Sequence, residues 1–333
     1  MVSRISGAVF LGHPHCRDEQ WLRLSVDYSI NVFQTSFTLK LFPSAFHPLI
    51  SRLIPAQRRL SRNLKDAETI IGPIADEIRK KNAGQTADVE REIPGSLLSW
   101  MVHNSDFKVT DNGTLAATQL ILTLASVHTT SMAVCNALFD ICAHPGTLRP
   151  LLDEIMQVLD GKDPEQLCTQ DLSQMKKLDS FLLESQRFNP PILLSPQRVT
   201  MEPITLKDGT FLPKGTQVAW PAANILMDPN VTFDPEAFNP WRSFEQGNET
   251  SPASTNAYGH TSEKNLLFGH GRQACPGRFF AVAEIKMILA RMLIEYDFRF
   301  CNQGCRPKSL TIDEMVFPNP FAKLSIKRRN EGR

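Results

Sequence analysis

The chain has 333 residues, 42% of them hydrophobic and 8% aromatic, enough for a sizeable core in one large domain or two smaller ones. Its 36 Lys and Arg stand against 35 Asp and Glu, and the formal charge of +1 excludes a global electrostatic attraction to nucleic acid. Seven cysteines, an odd and scattered set, predict reduced thiols in a cytosol-facing protein and not a disulfide framework.

The N-terminal stretch "MVSRISGAVFLGHPHC" carries an arginine and only a short apolar patch, too little for a signal peptide or a membrane span, so no membrane anchor is expected in this chain. Apolar residues spaced three and four apart predict helices over 17–34, about 57–82, 114–143, 146–159 and 171–188. Gly161 and Pro164 mark the break after the fourth, and Pro190 and Pro191 the break after the fifth. The third occupies the longest uncharged stretch, yet Gln119, Thr123, Ser126, His128, Thr129, Thr130 and Asn136 fall inside it. Such polarity suits a helix buried in protein better than one facing lipid.

Near residue 195 the texture changes. Short β-like runs, "QRVTME", "ITLKDGTFLP" and "TQVAWP", fill 196–220, with Asp208-Gly209 and Lys214-Gly215 as turns. The Pro-, Asn- and Ser-rich stretch 228–262 reads as a coil held by side chains, with Ser251 to Gly259 as an inserted loop. A last helix is expected over about 278–295, then short strands at 297–301 and 321–327. The fold predicted is mainly α with a minor β region.

Between these elements lies "NLLFGHGRQACPGRFFA", residues 265–281, in which Cys275 sits on a glycine-rich, proline-stiffened turn leading into the last helix. A lone thiolate without Cys or His partners at metal spacing does not complete a tetrahedral zinc site. Haem iron, by contrast, needs only one axial protein ligand. Gly271 and Gly277 would let the backbone approach a flat macrocycle, and the helix start would help keep the sulfur deprotonated. The alternative is a small buried hydrophobe, the ordinary fate of an unplaced cysteine.

The string resembles the cysteine-ligand signature of the cytochrome P450 superfamily, the haem-thiolate monooxygenases, with Phe268, Gly271, Cys275, Gly277 and Ala281 at its marked positions. Upstream, "FLLESQRFNPP" puts Glu184 and Arg187 on one helix face, similar to the family's Glu-x-x-Arg pair. In "FDPEAFNPWRSF", Phe238, Pro240 and Arg242 match the family's meander, whose arginine joins that pair in a buried network; on spacing alone a solvated surface pair is the more usual reading of Glu184 and Arg187. "LTLASVHTTSM" is similar to the oxygen-side helix, "HTTS" resembling filamentous-fungal members. The resemblance makes Thr129 a proton-relay residue with His128 and Thr130 beside it, although a histidine satisfied in the core reads equally well from the residues.

Further implications of the resemblance are a haem b cofactor, Gln273 and Arg198 at propionate-binding positions, and Leu124, Ile192, Leu193, Leu194 and Phe317 on substrate-facing segments. The partners implied are an NADPH-cytochrome P450 reductase, with NADPH acting indirectly through it, and a lipophilic terpenoid or polyketide-like substrate. Arg272, Arg278 and Lys286 form either a basic patch for the reductase or a solvated helix face. The expected organisation is one partial domain over 1–333. Residues 1–195 would be its helical part, with the oxygen-side helix at 112–143. Residues 196–333 would carry the minor sheet, the meander, the cysteine loop 268–277 and the following helix. The membrane anchor, first sheet strands and early helices of a full-length member are expected to be absent, leaving the strands of 196–220 without partners. Full-length members sit on the cytosolic face of the endoplasmic reticulum membrane; this chain alone is expected to be cytoplasmic. Two function classes stay open: a monooxygenase of fungal secondary metabolism, or a non-catalytic remnant with weak or no haem binding.

Overall fold

The computed structural model describes residues 1–83, 95–104, 111–249, 257–301 and 305–329. The chain divides into two compact units, Met1–His128 and Thr129–Arg333.

The first unit holds α1 (Val2–Phe10), α2 (Glu19–Lys40), α3 (His47–Leu53), α4 (Pro55–Ala83), α5 (Leu97–His103) and the first half of α6 (Asn112–Ala143). Asp18 starts α2, its carboxylate accepting the amides of Gln20 and Trp21 at 2.7 and 3.1 Å. The helix packs along α4. Trp21, Leu24, Ile71, Leu98, Leu115 and Leu120 lead the core, and a buried Asn31–Asn63 hydrogen bond of 2.9 Å registers α2 on α4. Periodicity missed α3 because it buries no residue at all.

The second unit continues α6 into α7 (Leu148–Leu159), α8 (Thr169–Gln174) and α9 (Lys176–Phe188). The single helix expected over 171–188 is therefore two. Met175 leaves helical geometry at ψ 75°, and α9 starts afresh because Glu154 of α7 accepts the amides of Lys177 and Leu178 at 2.7 and 3.0 Å. Then come β1 (Gln197–Val199), β2 (Ile204–Thr205), β3 (Phe211–Leu212), β4 (Gln217–Ala219), α10 (Ala222–Leu226) and α11 (Arg242–Glu249). The chain ends with α12 (Arg278–Glu295), β5 (Tyr296–Phe300), β6 (Leu310–Ile312), β7 (Met315–Phe317) and β8 (Leu324–Arg328). Ile155, Leu178, Phe181, Leu289 and Leu293 are core residues here, where α12 packs on α7 and α8.

Sheet structure is minor, as expected: β1–β4, β2–β3, β5–β8 and β6–β7 are antiparallel pairs. The strands of 196–220 do find partners, with Gln197 opposite Ala219 and Ile204 opposite Leu212. Gly209 turns the second ribbon at φ +89°. The stretch 228–262 is not all coil, because α11 lies inside it. Its first amides, Ser243 and Phe244, both donate to the hydroxyl oxygen of Ser180 on α9 at 3.1 Å, a cap borrowed from another helix. Of the expected loop 251–259, residues 251–256 lie outside the described ones.

By length and composition α6 could cross a membrane. Gln119, Thr123, Thr130, Asn136 and Asp140 are nonetheless buried along it, and Thr123 returns its hydroxyl to the Gln119 carbonyl at 2.8 Å. The organising element of the second unit is α9. Asp179, Ser180, Glu184, Ser185 and Arg187 are all buried on it, and the first four each reach a different element.

Candidate functional site

Cys275 is a free, exposed thiol three residues before α12. Its amide donates to the Phe268 carbonyl at 2.7 Å, and its carbonyl accepts from the Arg278 guanidinium at 2.9 Å, so the backbone on both sides of the sulfur is held. The turn between is a 3-10 segment, Gly271–Gln273, entered through Gly271 at φ +66°. A Cβ at Gly271 or Gly277 would meet no atom within 4 Å. Past the cysteine, the Ala281 amide bonds the Gly277 carbonyl at 2.8 Å and starts the helical ladder. Phe268 meets the ring of Tyr258 edge-on, with centroids 5.5 Å apart.

Glu184, Arg187 and Arg242 come together. Arg187 grips Glu184 through two bonds, Nε at 2.9 Å and Nη2 at 2.8 Å, and Arg242 reaches the same carboxylate with Nε at an ion-pair distance of 3.4 Å and a long hydrogen bond from Nη2 at 3.5 Å. The Asn239 amide supplies a further donor at 2.9 Å. The spare guanidinium hydrogens hold the meander by its carbonyls: Arg187 takes Pro235 at 2.6 Å, and Arg242 takes Ala237 at 2.9 Å. Phe238 stacks on His144 at 4.3 Å, locking the same segment from its apolar side.

On α6, Thr129 is exposed, Thr130 buried and Leu124 half-buried. His128 meets Phe33 of α2 edge-on at 5.5 Å, and its Nε2 is buried without a hydrogen-bond partner. Burial pulls its pKa below the usual 6.5, leaving the ring neutral near pH 7. The segments expected to face substrate are joined. Leu193 donates to the Glu314 carbonyl at 2.8 Å and Val316 to the Pro191 carbonyl at 3.1 Å, with Ile192 bridged to Met315. Ile192, Leu193, Leu194 and Phe317 are thus carried on one β-bridged cluster.

Arg198, on β1, turns its guanidinium to the Gln197 carbonyl at 2.7 Å, while Gln273 is exposed on the cysteine loop. The expected basic patch needs correction. Lys286 is only 3% exposed and pairs with Asp179 at 2.8 Å, and half-buried Arg278 is spent on Cys275; Arg272 alone remains open. Sequence reasoning also missed Asp140 of α6, which pairs with Arg306 and accepts the Ser185 hydroxyl at 2.5 Å. The available signal was an acidic residue inside an apolar helix, which demands a partner.

Among the described residues no three His, Cys, Asp or Glu gather as a metal site. An exposed thiol between two unobstructed glycines fits instead a flat macrocycle that brings its own metal and needs one ligand. A mainly helical fold with such a loop, and with a separate buried Glu–Arg–Arg network, defines the haem-thiolate class. The sequence model of the cytochrome P450 family matches residues 1–326, and the chain belongs to that family.

Relatives agree. The chain is 42% identical over 329 residues to a cytochrome P450 monooxygenase of Emericella nidulans, covering 99% of this chain and 61% of that protein. It is 38% identical over 336 residues to an ent-kaurene oxidase of Gibberella intermedia, covering 99% and 61%. The crystal structure of the cytochrome P450DA haem domain superposes with a TM-score of 0.72 at 18% identity, covering 99% of this chain and 66% of that one. The chain therefore spans about 61% of the length of these curated fungal relatives.

Proposed function

We propose that this chain is the haem-thiolate portion of a fungal cytochrome P450 monooxygenase that oxidises a lipophilic, terpenoid- or polyketide-like molecule in secondary metabolism. The observation that carries the reading is the Cys275 loop, with its exposed sulfur, two unobstructed glycines and backbone held by Phe268 and Arg278. Cys275 would be the axial ligand of haem b. Phe268 would pack beside it, Gly271, Gly277 and Ala281 would admit the ring, and Arg198 and Gln273 would hold the propionates. When bound, haem supplies oxygen activation, which thiolate donation favours. The chain's own residues do the rest. Glu184, Arg187 and Arg242 keep the meander fixed. Thr129, with Thr130, would offer a hydroxyl to hold and pass protons, with His128 beside them on the same helix. Ile192, Leu193, Leu194 and Phe317, carried on the β-bridged cluster, would give substrate an apolar wall.

Electrons would come from NADPH through a cytochrome P450 reductase at the endoplasmic reticulum membrane. With Lys286 buried, Arg272 is the loop cation left to meet its acidic face. The test is the carbon-monoxide difference spectrum of the dithionite-reduced chain expressed with haem. A strongly red-shifted Soret band, lost in Cys275→Ser, is the expected result. No haem uptake, or a band indifferent to that substitution, overturns the reading in favour of a non-catalytic remnant.

A further inference from the structure

The contacts of Lys286 and Asp179 run to the cysteine loop and not to the surface. Lys286, two turns into α12, donates to Asp179 at 2.8 Å and to the carbonyls of Leu172 and Met175 at 2.8 and 3.3 Å. All three donors of its ammonium are used. Asp179 in turn accepts the Tyr258 amide at 3.3 Å. The buried Tyr258 ring supports Phe268, whose carbonyl holds the Cys275 amide. The same helix that carries Lys286 begins with Arg278, which holds the Cys275 carbonyl.

We propose that Asp179 and Lys286 are positioning residues for the Cys275 loop, a second buried charge pair distinct from the Glu184 network. The pair fixes α12 against α9 and α8, and through Tyr258 it fixes the Phe268 side of the loop, so both backbone anchors of the sulfur refer to one ion pair. A role in stability alone explains the pair poorly. Desolvation opposes both charges, pushing the Asp179 carboxyl up and the Lys286 ammonium down, and buried pairs of this kind are commonly replaced by apolar residues without loss of stability. What an apolar pair lacks is direction: three donors aimed at three fixed acceptors.

The inference rests on the reading of Cys275 as the axial ligand only for its functional meaning, and the experiment keeps the two separate. Three variants of the 333-residue chain are compared with the parent: Lys286→Met, the charge-free double Asp179→Leu/Lys286→Met, and Asp140→Asn as a control in another buried pair. Three quantities are read: the thermal midpoint, hydrogen exchange of the Cys275 amide in the haem-free chain, and the share of the red-shifted band in the haem-loaded chain. Lys286→Met should lower the midpoint. The double variant should recover it, yet exchange at Cys275 should remain about 5-fold faster than in the parent, a ratio ordinary for groups coupled in one network. The red-shifted band should shrink with it, while Asp140→Asn changes the midpoint alone. A double variant with parental exchange at Cys275, or a control that speeds it equally, overturns the proposal. The exchange readout needs no haem, so it decides the matter even if the chain takes up none.

Discussion

Glu184 is only 3% exposed and is shared by two arginines, so the three members of its network are not equivalent. Glu184→Ala strands two cations and Arg187→Ala removes the better-buried one; each should cost roughly 3–5 kcal/mol in urea unfolding. Arg242→Ala leaves the carboxylate still gripped by Arg187 and should cost roughly 1–2 kcal/mol. A ranking with Arg242→Ala worst would sink this account. His128 makes a second residue-scale prediction. Its folded pKa lies below the unfolded value near 6.5, so its contribution to stability is complete above that pH and declines as pH falls toward the depressed value. His128→Gln should flatten that acid-side slope in denaturation midpoints measured between about pH 6.5 and 5. What the sequence disclosed at this scale was local. Glu184 and Arg187 lie on one turn, and Cys275 stands among glycines that announce a special backbone. Lys286 was misread because its partner is distant in sequence and a lysine on a helix ordinarily marks the wet face.

Elements here are cut and joined by side chains from elsewhere. Periodicity found α12 at its observed limits and most of α2, α4, α6 and α7, since each presents a repeating apolar stripe. It ran α8 and α9 together because their apolar spacing carries across Met175, while the feature that separates them is Glu154 on another helix. Glu154→Ala should therefore destabilise by about 1–2 kcal/mol, the scale of a lost cap, with amide exchange rising selectively at Lys177 and Leu178. Uniform exchange along α9 would show that the carboxylate is not its cap. The helix α11 was invisible for a like reason, its cap being a serine of α9. The candidate site shows the same division. Its apolar cluster was legible as two separate runs, whereas their joining through Leu193, Glu314, Val316 and Pro191 is a backbone matter that no side-chain pattern encodes.

At the scale of the whole molecule, the near balance of charge has a practical result. Large apolar side chains stand exposed, Leu41, Phe233 and Phe321 among them, and with a pI near 7.6 little net repulsion keeps copies apart at neutral pH. Light scattering should peak near pH 7.6 and fall at least two pH units to either side; a flat profile would mean that charge does not govern association. The mainly helical class was legible from the texture of the chain. The division after His128 was not, since it falls within one unbroken helix. The borrowed cap of α11 carries one more consequence. Ser180, Glu184 and Arg187 are all translated before the meander they anchor, and the meander and Tyr258 before Cys275. On a ribosome, where earlier parts fold first, the sulfur emerges into a cradle already supplied with its supports. Arg278 and α12 follow the cysteine in the chain, so the Cys275 carbonyl gains its partner only after the amide has its own.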